Sequence, residues 1–186
     1  AILAAEIAKE CGIDNVLSFD MGGTTAKICL IDDFTPQMTR TFEVARVYRN
    51  LKGSGLPLRI PAIEMVEIGA GGGSIAKVDE MKRISVGPES SGALPGPACY
   101  NQGGKDPTVT DADVILGRID PKDFAGGAVK LDPDKADLAL RTAVGEQLEL
   151  NGSLSAFGVS EIVDENMANA ARVHAIEWGK DISARS

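Results

Sequence analysis

Phe19-Asp20-Met21-Gly22-Gly23-Thr24-Thr25 is the stretch on which the reading of this chain turns. An apolar run, Val16-Leu17-Ser18-Phe19, ends on a carboxylate, two glycines turn the backbone, two hydroxyls follow, and Ala26-Lys27-Ile28-Cys29-Leu30-Ile31 supplies a second run. Two such runs about a Gly-Gly turn predict a β-hairpin. Glycine at positions 22 and 23 suits positive φ in a tight turn, and the absent Cβ lets backbone N–H groups approach an anion. On this reading Asp20 faces Mg²⁺, which takes few protein carboxylates and keeps waters and nucleotide oxygens as its other ligands. Thr24 and Thr25 then donate hydroxyls to phosphate. An ordinary hairpin with Asp20 as a solvated strand end accounts for the turn signal equally well.

The 186 residues, 44% of them hydrophobic, suffice for one domain with a core and are short for two, so a single domain over 1–186 is expected. A formal charge of −8 argues against nucleic acid and anionic membranes as partners, since both repel such a surface. No apolar segment approaches the roughly 18 residues of a spanning helix. No basic, apolar leader opens the chain either, and a cytoplasmic protein is expected. The start at Ala1 and the stop at Ser186 just past a helical run suggest a piece of a larger polypeptide. Cys11, Cys29 and Cys99 are widely spaced with no CxxC, which indicates neither a disulfide framework nor a zinc site. His174 lies in a helical run and is read as packed or solvated rather than catalytic. Asn151-Gly152-Ser153 fits a glycosylation sequon but reads as a polar turn.

Outward from the hairpin, Ile2, Leu3, Ile7 and Ala8 predict a first helix ended by Gly12. Strands are expected over 41–48, 63–68, 75–78 and 83–86. Gly69-Ala70-Gly71-Gly72-Gly73-Ser74 comes directly off the second of these. It lacks the third glycine of the dinucleotide fingerprint and the Walker lysine, yet it sits at a strand end, where sheet proteins place ligands. The segment 87–107 is an irregular loop of about 20 residues, longer than a plain connection needs. Its Leu94, Cys99 and Tyr100 favour order over a charged disordered tail. Thr110-Asp111-Ala112-Asp113 reads as a capping pattern for a short helix. Further helices are expected from Asp132-Pro133 and from about Val159 to Trp178. The order is that of an α/β domain, a mixed sheet covered by helices.

Asp20 to Thr25, Gly69 to Ile75, Gly87-Pro88 through Pro95-Gly96-Pro97-Ala98-Cys99-Tyr100, and Pro107 to Ala112, in this order and spacing, resemble the hydantoinase A / 5-oxoprolinase family over nearly the whole chain. The resemblance implies an actin-like ATPase built on a ribonuclease-H-like sheet. It implies ATP and Mg²⁺ as cofactors, with Asp20 at the metal and Gly22, Gly23, Thr24 and Thr25 as one of two phosphate hairpins. Gly71, Gly72 and Gly73 would lie in the same cleft. Where many relatives carry an aspartate, this chain has Lys27, which can neutralise phosphate as a point charge. The implied activity is ATP-dependent opening of a cyclic amide or imide, hydantoin-like or 5-oxoproline-like, with a hydantoinase B-type partner subunit. The family polypeptide also carries an N-terminal part with its own phosphate hairpin and a downstream part with further nucleotide contacts. A module of an ATP-dependent ketone carboxylase and a non-catalytic nucleotide-sensing module are the alternatives.

Overall fold

The computed structural model describes residues 1–45, 47–48 and 53–186. The backbone gathers into two compact units, each assembled from separated stretches: Ala1–Phe19, Lys27–Val66 and Ala171–Ser186 in the first, Asp20–Ala26 and Glu67–Ala170 in the second. The stretches alternate along the chain, so neither unit is a contiguous segment.

In the first unit, α1 (Ile2–Cys11) buries Ala5 and Ala8 and stops where Gly12 turns left-handed at φ 67°. The N–H groups of Gly12 and Ile13 fold back onto the Lys9 and Ala8 carbonyls at 3.2 and 2.9 Å, which satisfies the helix end. β1 (Asn15–Met21) and β2 (Ala26–Asp32) are the expected hairpin strands. Ile28, Cys29, Leu30 and Ile31 are all buried, the continuous apolar pattern of a strand covered on both faces. A turn with positive φ at Asp33 and Phe34 leads to β3 (Thr35–Pro36), antiparallel to β2, and the strand order is β1-β2-β3.

β4 (Met38–Thr39), β5 (Phe42–Val44), β6 (Leu56–Leu58) and β7 (Ala62–Ile63) form nested antiparallel ribbons, β5 on β6 and β4 on β7. The strand expected over 41–48 is therefore short: Ala45 takes a positive φ, and Arg46 lies outside the described residues. The chain ends on β1, with Leu17 N–H donating to the Ser186 carbonyl at 2.9 Å and Ser186 N–H to Asn15 at 3.2 Å. Arg185 holds that end by pairing with Asp32 and donating to the Ile31 carbonyl at 3.1 Å, while Lys180 reaches Asp32 at 3.0 Å.

The 63–68 strand divides, because Glu64 N–H turns to the Gln37 carbonyl at 2.8 Å and pairing resumes only at β8 (Val66–Ile68). In the second unit β9 (Ser74–Val78) and β10 (Ile84–Ser90) form an antiparallel ribbon with Ile84 opposite Val78 and Val86 opposite Ala76. β10 runs past the expected end at 86, and its register slips between Val86 and Ser90 around Gly87-Pro88.

Helices follow: α2 (Val109–Ile115), α3 (Pro133–Leu140) capped by Asp132, a π-helical turn at Arg141–Gly145, α4 (Glu146–Leu148) and α5 (Gly152–Glu177). α5 begins ahead of the expected Val159 because the Asn151 carboxamide accepts from the Leu154 N–H at 2.9 Å and so starts the helix at the polar turn. Ala76, Val86, Ala112, Leu140, Val159 and Val163 stand at the centre of the main apolar cluster, which joins ribbon to helices. The whole is a mixed α/β arrangement.

Candidate functional site

The tip between β1 and β2 is closed by the Gly22 N–H, which donates to the Thr25 carbonyl at 2.9 Å. Neither Gly22 nor Gly23 takes positive φ, contrary to the expectation from the turn. The carbonyls of Gly22 and Gly23 point at the glycine loop and accept from the N–H groups of Gly72 and Gly73 at 3.0 and 2.6 Å. Around Gly23 a methyl group would meet nothing within 4 Å. Asp20, Gly22, Gly23 and Thr24 are exposed and Thr25 half-buried. Among the described residues, no internal partner takes the N–H groups of Gly23 and Thr24 or the hydroxyls of Thr24 and Thr25. Several donors and one exposed carboxylate thus share the tip, groups of the kind that bind an anion with its cation.

The glycine loop is the support of that tip. Gly71 N–H donates to the Ser74 hydroxyl at 2.9 Å, so the N–H groups of Gly71, Gly72 and Gly73 all have internal acceptors. Gly71 and Gly73 are buried, and a Cβ on Gly73 would come 2.9 Å from the Gly23 carbonyl oxygen. Glycine is required here so that one backbone can lie on another. The Gly73 carbonyl accepts in turn from the Ser91 N–H at 2.9 Å, which ties the loop to the start of the 87–107 segment.

The second anchor is the start of α2. Its N-cap is Thr108 rather than Thr110, in a reciprocal capping box with Asp111. Asp111 is fully buried, and its carboxylate accepts from the Thr108 N–H and hydroxyl, both at 2.8 Å, the Cys99 N–H at 2.7 Å and the Ala98 N–H at 3.2 Å. The 87–107 segment is ordered by these bonds: Ala98–Tyr100 is a short 3₁₀ turn, Tyr100 packs on Phe124 with ring centroids 5.7 Å apart, and Cys99 is buried. Burial, with the Asp111 charge adding to it, pushes the Cys99 thiol far up and makes it inert. Sequence reading missed the span of Asp111's contacts; a carboxylate two residues past Val109 signals only a cap, whereas the partners 12 and 13 residues upstream appear only in three dimensions.

Asp20, Gly22, Gly23, Thr24, Thr25, Gly71, Gly72 and Gly73 fall in the second unit, and Lys27 is exposed on the part of β2 that belongs to the first. His174 is buried near the end of α5, in keeping with a packed residue. No group of three or more His, Cys, Asp or Glu able to hold a metal occurs among the described residues. A metal caged by protein ligands alone does not fit; a cation that arrives on a nucleotide and needs one exposed carboxylate does. No helix among the described residues is long and apolar enough to cross a membrane.

The sequence profile of the family described as hydantoinase/oxoprolinase matches residues 1–185. A protein of Methanocaldococcus jannaschii is 43% identical over 97% of this chain and 27% of its own length. Among solved structures, nucleotide-free acetone carboxylase superposes with a TM-score of 0.83 at 27% identity, over 99% of this chain and 25% of that one. The ATP-dependent caprolactamase of Pseudomonas jessenii superposes with a TM-score of 0.75 at 33% identity, over 92% and 23%. Acetophenone carboxylase, acetone carboxylase and caprolactamase subunits and 5-oxoprolinases are among the further relatives by sequence. The chain spans about a quarter of the length of the archaeal, caprolactamase and carboxylase relatives and 12% of the Saccharomyces cerevisiae 5-oxoprolinase. It belongs to the hydantoinase/oxoprolinase family.

Proposed function

We propose that the full-length polypeptide carrying this segment is an ATP-dependent cyclic amide hydrolase, and that the Asp20–Thr25 tip is one of the surfaces that grip the phosphates of ATP. The observation that carries the reading is the tip itself: uncommitted donors on Gly23, Thr24 and Thr25 beside an exposed carboxylate, on a loop that holds the hairpin from behind. In this reading the fold is that of the actin-like ATPases, with a ribonuclease-H-like sheet, and the opposite phosphate hairpin comes from another part of the polypeptide. Gly71, Gly72 and Gly73 serve the phosphates through the hairpin, since their own N–H groups are engaged. Lys27, exposed at the second position of β2, supplies positive charge for phosphate in this reading.

Asp20 would hold Mg²⁺ directly or through its waters, and the cation would supply charge neutralisation on the triphosphate. Thr24 and Thr25 orient the phosphate chain, and backbone donors stabilise charge that builds on it, the kind of preorganised term that dominates phosphoryl transfer. The carbonyl oxygen of the ring takes the terminal phosphoryl group as its bond to ADP breaks. Water then adds at the activated carbon, the ring C–N bond breaks as the ring nitrogen takes the hydroxyl proton to leave an acyl phosphate, and a second water hydrolyses that acyl phosphate to carboxylate and phosphate. A hydantoinase B-type subunit completes the enzyme, in line with relatives that are named as subunits. One lobe alone binds ATP poorly, because its few contacts must offset the whole entropy of fixing the nucleotide.

A second reading, a ketone carboxylase module that activates substrate for a partner subunit, is favoured by the closer superposition on acetone carboxylase, 0.83 against 0.75. ADP formation by the full-length protein with its partner subunit, screened against hydantoins, 5-oxoproline, lactams and ketones, separates the two. Ring opening without bicarbonate supports the hydrolase; turnover that needs bicarbonate and a ketone supports the carboxylase. Absence of ATP turnover with every substrate, while the protein is folded, points to a nucleotide-sensing module instead.

A further inference from the structure

Thr110 stands one residue inside α2, where neither helix capping nor packing calls for a hydroxyl. Thr108 fills the capping role. Thr110 is 5% exposed, and it aims both its N–H and its hydroxyl at one acceptor, the Gly72 carbonyl, each at 2.8 Å. The N–H of the same peptide unit, on Gly73, donates to the Gly23 carbonyl of the hairpin tip at 2.6 Å. A Cβ on Gly72 would lie 2.8 Å from the Thr110 hydroxyl oxygen, so the glycine at 72 is what admits the hydroxyl. The start of α2 around Thr110 is anchored by the adjacent Asp111 carboxylate, which Thr108, Ala98 and Cys99 hold.

We propose that Thr110 is a positioning residue for the phosphate tip: its hydroxyl holds the Gly72–Gly73 peptide in the orientation from which the Gly73 N–H fixes the Gly23 carbonyl, and so sets where the Gly23 and Thr24 donors point. The inference rests on the reading of the tip as a phosphate site. It adds a residue from the helix layer, distant in sequence, that touches no substrate and acts through two hydrogen bonds in series, each polarising the next. It also explains why the tip can leave its own donors open, since its shape is maintained from the carbonyl side.

The test uses the full-length protein with its partner subunit and MgATP. Thr110→Val keeps the shape and removes the hydroxyl; Thr110→Ser keeps the hydroxyl and removes the methyl. Loss of one net hydrogen bond corresponds to about a fivefold effect. The expected result is a rise of about fivefold in the ATP KM and in the MgATP Kd for Thr110→Val with kcat within about twofold, and near wild-type values for Thr110→Ser. A Val variant that binds MgATP like the wild type overturns the inference and leaves the phosphate-site reading standing. Equal defects in the Val and Ser variants also overturn it, because they assign the effect to packing. Failure of the wild-type protein to bind MgATP at all removes the phosphate-site reading, and the inference with it.

Discussion

Gly71 faces the Gly22 carbonyl so closely that a methyl group on its α-carbon would lie 2.6 Å from that oxygen. The same methyl would stand 2.8 Å from the backbone carbons of Gly23 and Thr24, so all its near neighbours are main chain and none can rotate away. Gly71→Ala should therefore push the hairpin tip outward, with a loss of about 2 kcal/mol in stability by urea denaturation, the usual scale for overpacking. Gly23→Ala meets open space and should leave the urea midpoint unchanged. In the full-length protein both should weaken ATP, the first by displacing the tip and the second by blocking close approach. A Gly71→Ala variant with unchanged stability would show that the two loops are not in contact as described.

Asp111 is the next test of the support. Its carboxylate accepts from backbone N–H groups at residues 98, 99 and 108 and from the Thr108 hydroxyl. Asn at this position turns one acceptor oxygen into an NH₂ that faces donors, which leaves buried N–H groups unpaired. Asp111→Asn should cost about 3 kcal/mol of stability, and hydrogen exchange at the Ala98 and Cys99 amides should accelerate together with it. Protection at those amides that survives the substitution would assign the order of the 98–100 turn to packing instead.

Much of this was legible in the residues, and the failures have physical causes. Alternation and apolar runs located α1, the β1-β2 hairpin, β9 and α3, because each of those patterns is decided by neighbours in the chain. The N-cap of α2 was misplaced by two residues since Thr108 and Thr110 carry the same hydroxyl. Only the location of Gly72 shows that Thr110 serves the loop and Thr108 the helix. The early start of α5 was hidden because Asn151-Gly152 signals a turn and an N-cap alike. Gly71 to Gly73 announced a special backbone, but not whether its N–H groups serve a ligand or a second strand of protein. Pairing of Ser186 with β1 joins opposite ends of the sequence and has no local signal at all.

Asp32 supplies a pH prediction for the first unit. Burial acts to raise its pKa, yet hydrogen bonds from Arg185 and Lys180, with their charges, outweigh it and hold the carboxyl below the ordinary range. A carboxyl depressed in the folded state stabilises the fold above its unfolded pKa, about 3.9, and that stabilisation disappears as pH falls through the folded value. Asp32→Asn should therefore lower stability by about 1 kcal/mol at pH 7, with the difference from wild type shrinking below about pH 4. Thermal melts of both proteins from pH 2.5 to 7 read this out, and a difference that stays constant across the range would contradict the ion cluster.

The claim on which the functional account depends is that the Asp20–Thr25 tip takes a magnesium-bound triphosphate. Calorimetric titration of the full-length protein with ATP, once with Mg²⁺ and once with EDTA, for wild type and Asp20→Ala, addresses it most directly. Mg²⁺ should strengthen ATP binding to the wild type, and Asp20→Ala should remove at least about tenfold of that gain while binding in EDTA is unaltered. An Asp20→Ala protein that keeps the full magnesium gain would place the cation, and the phosphates with it, elsewhere.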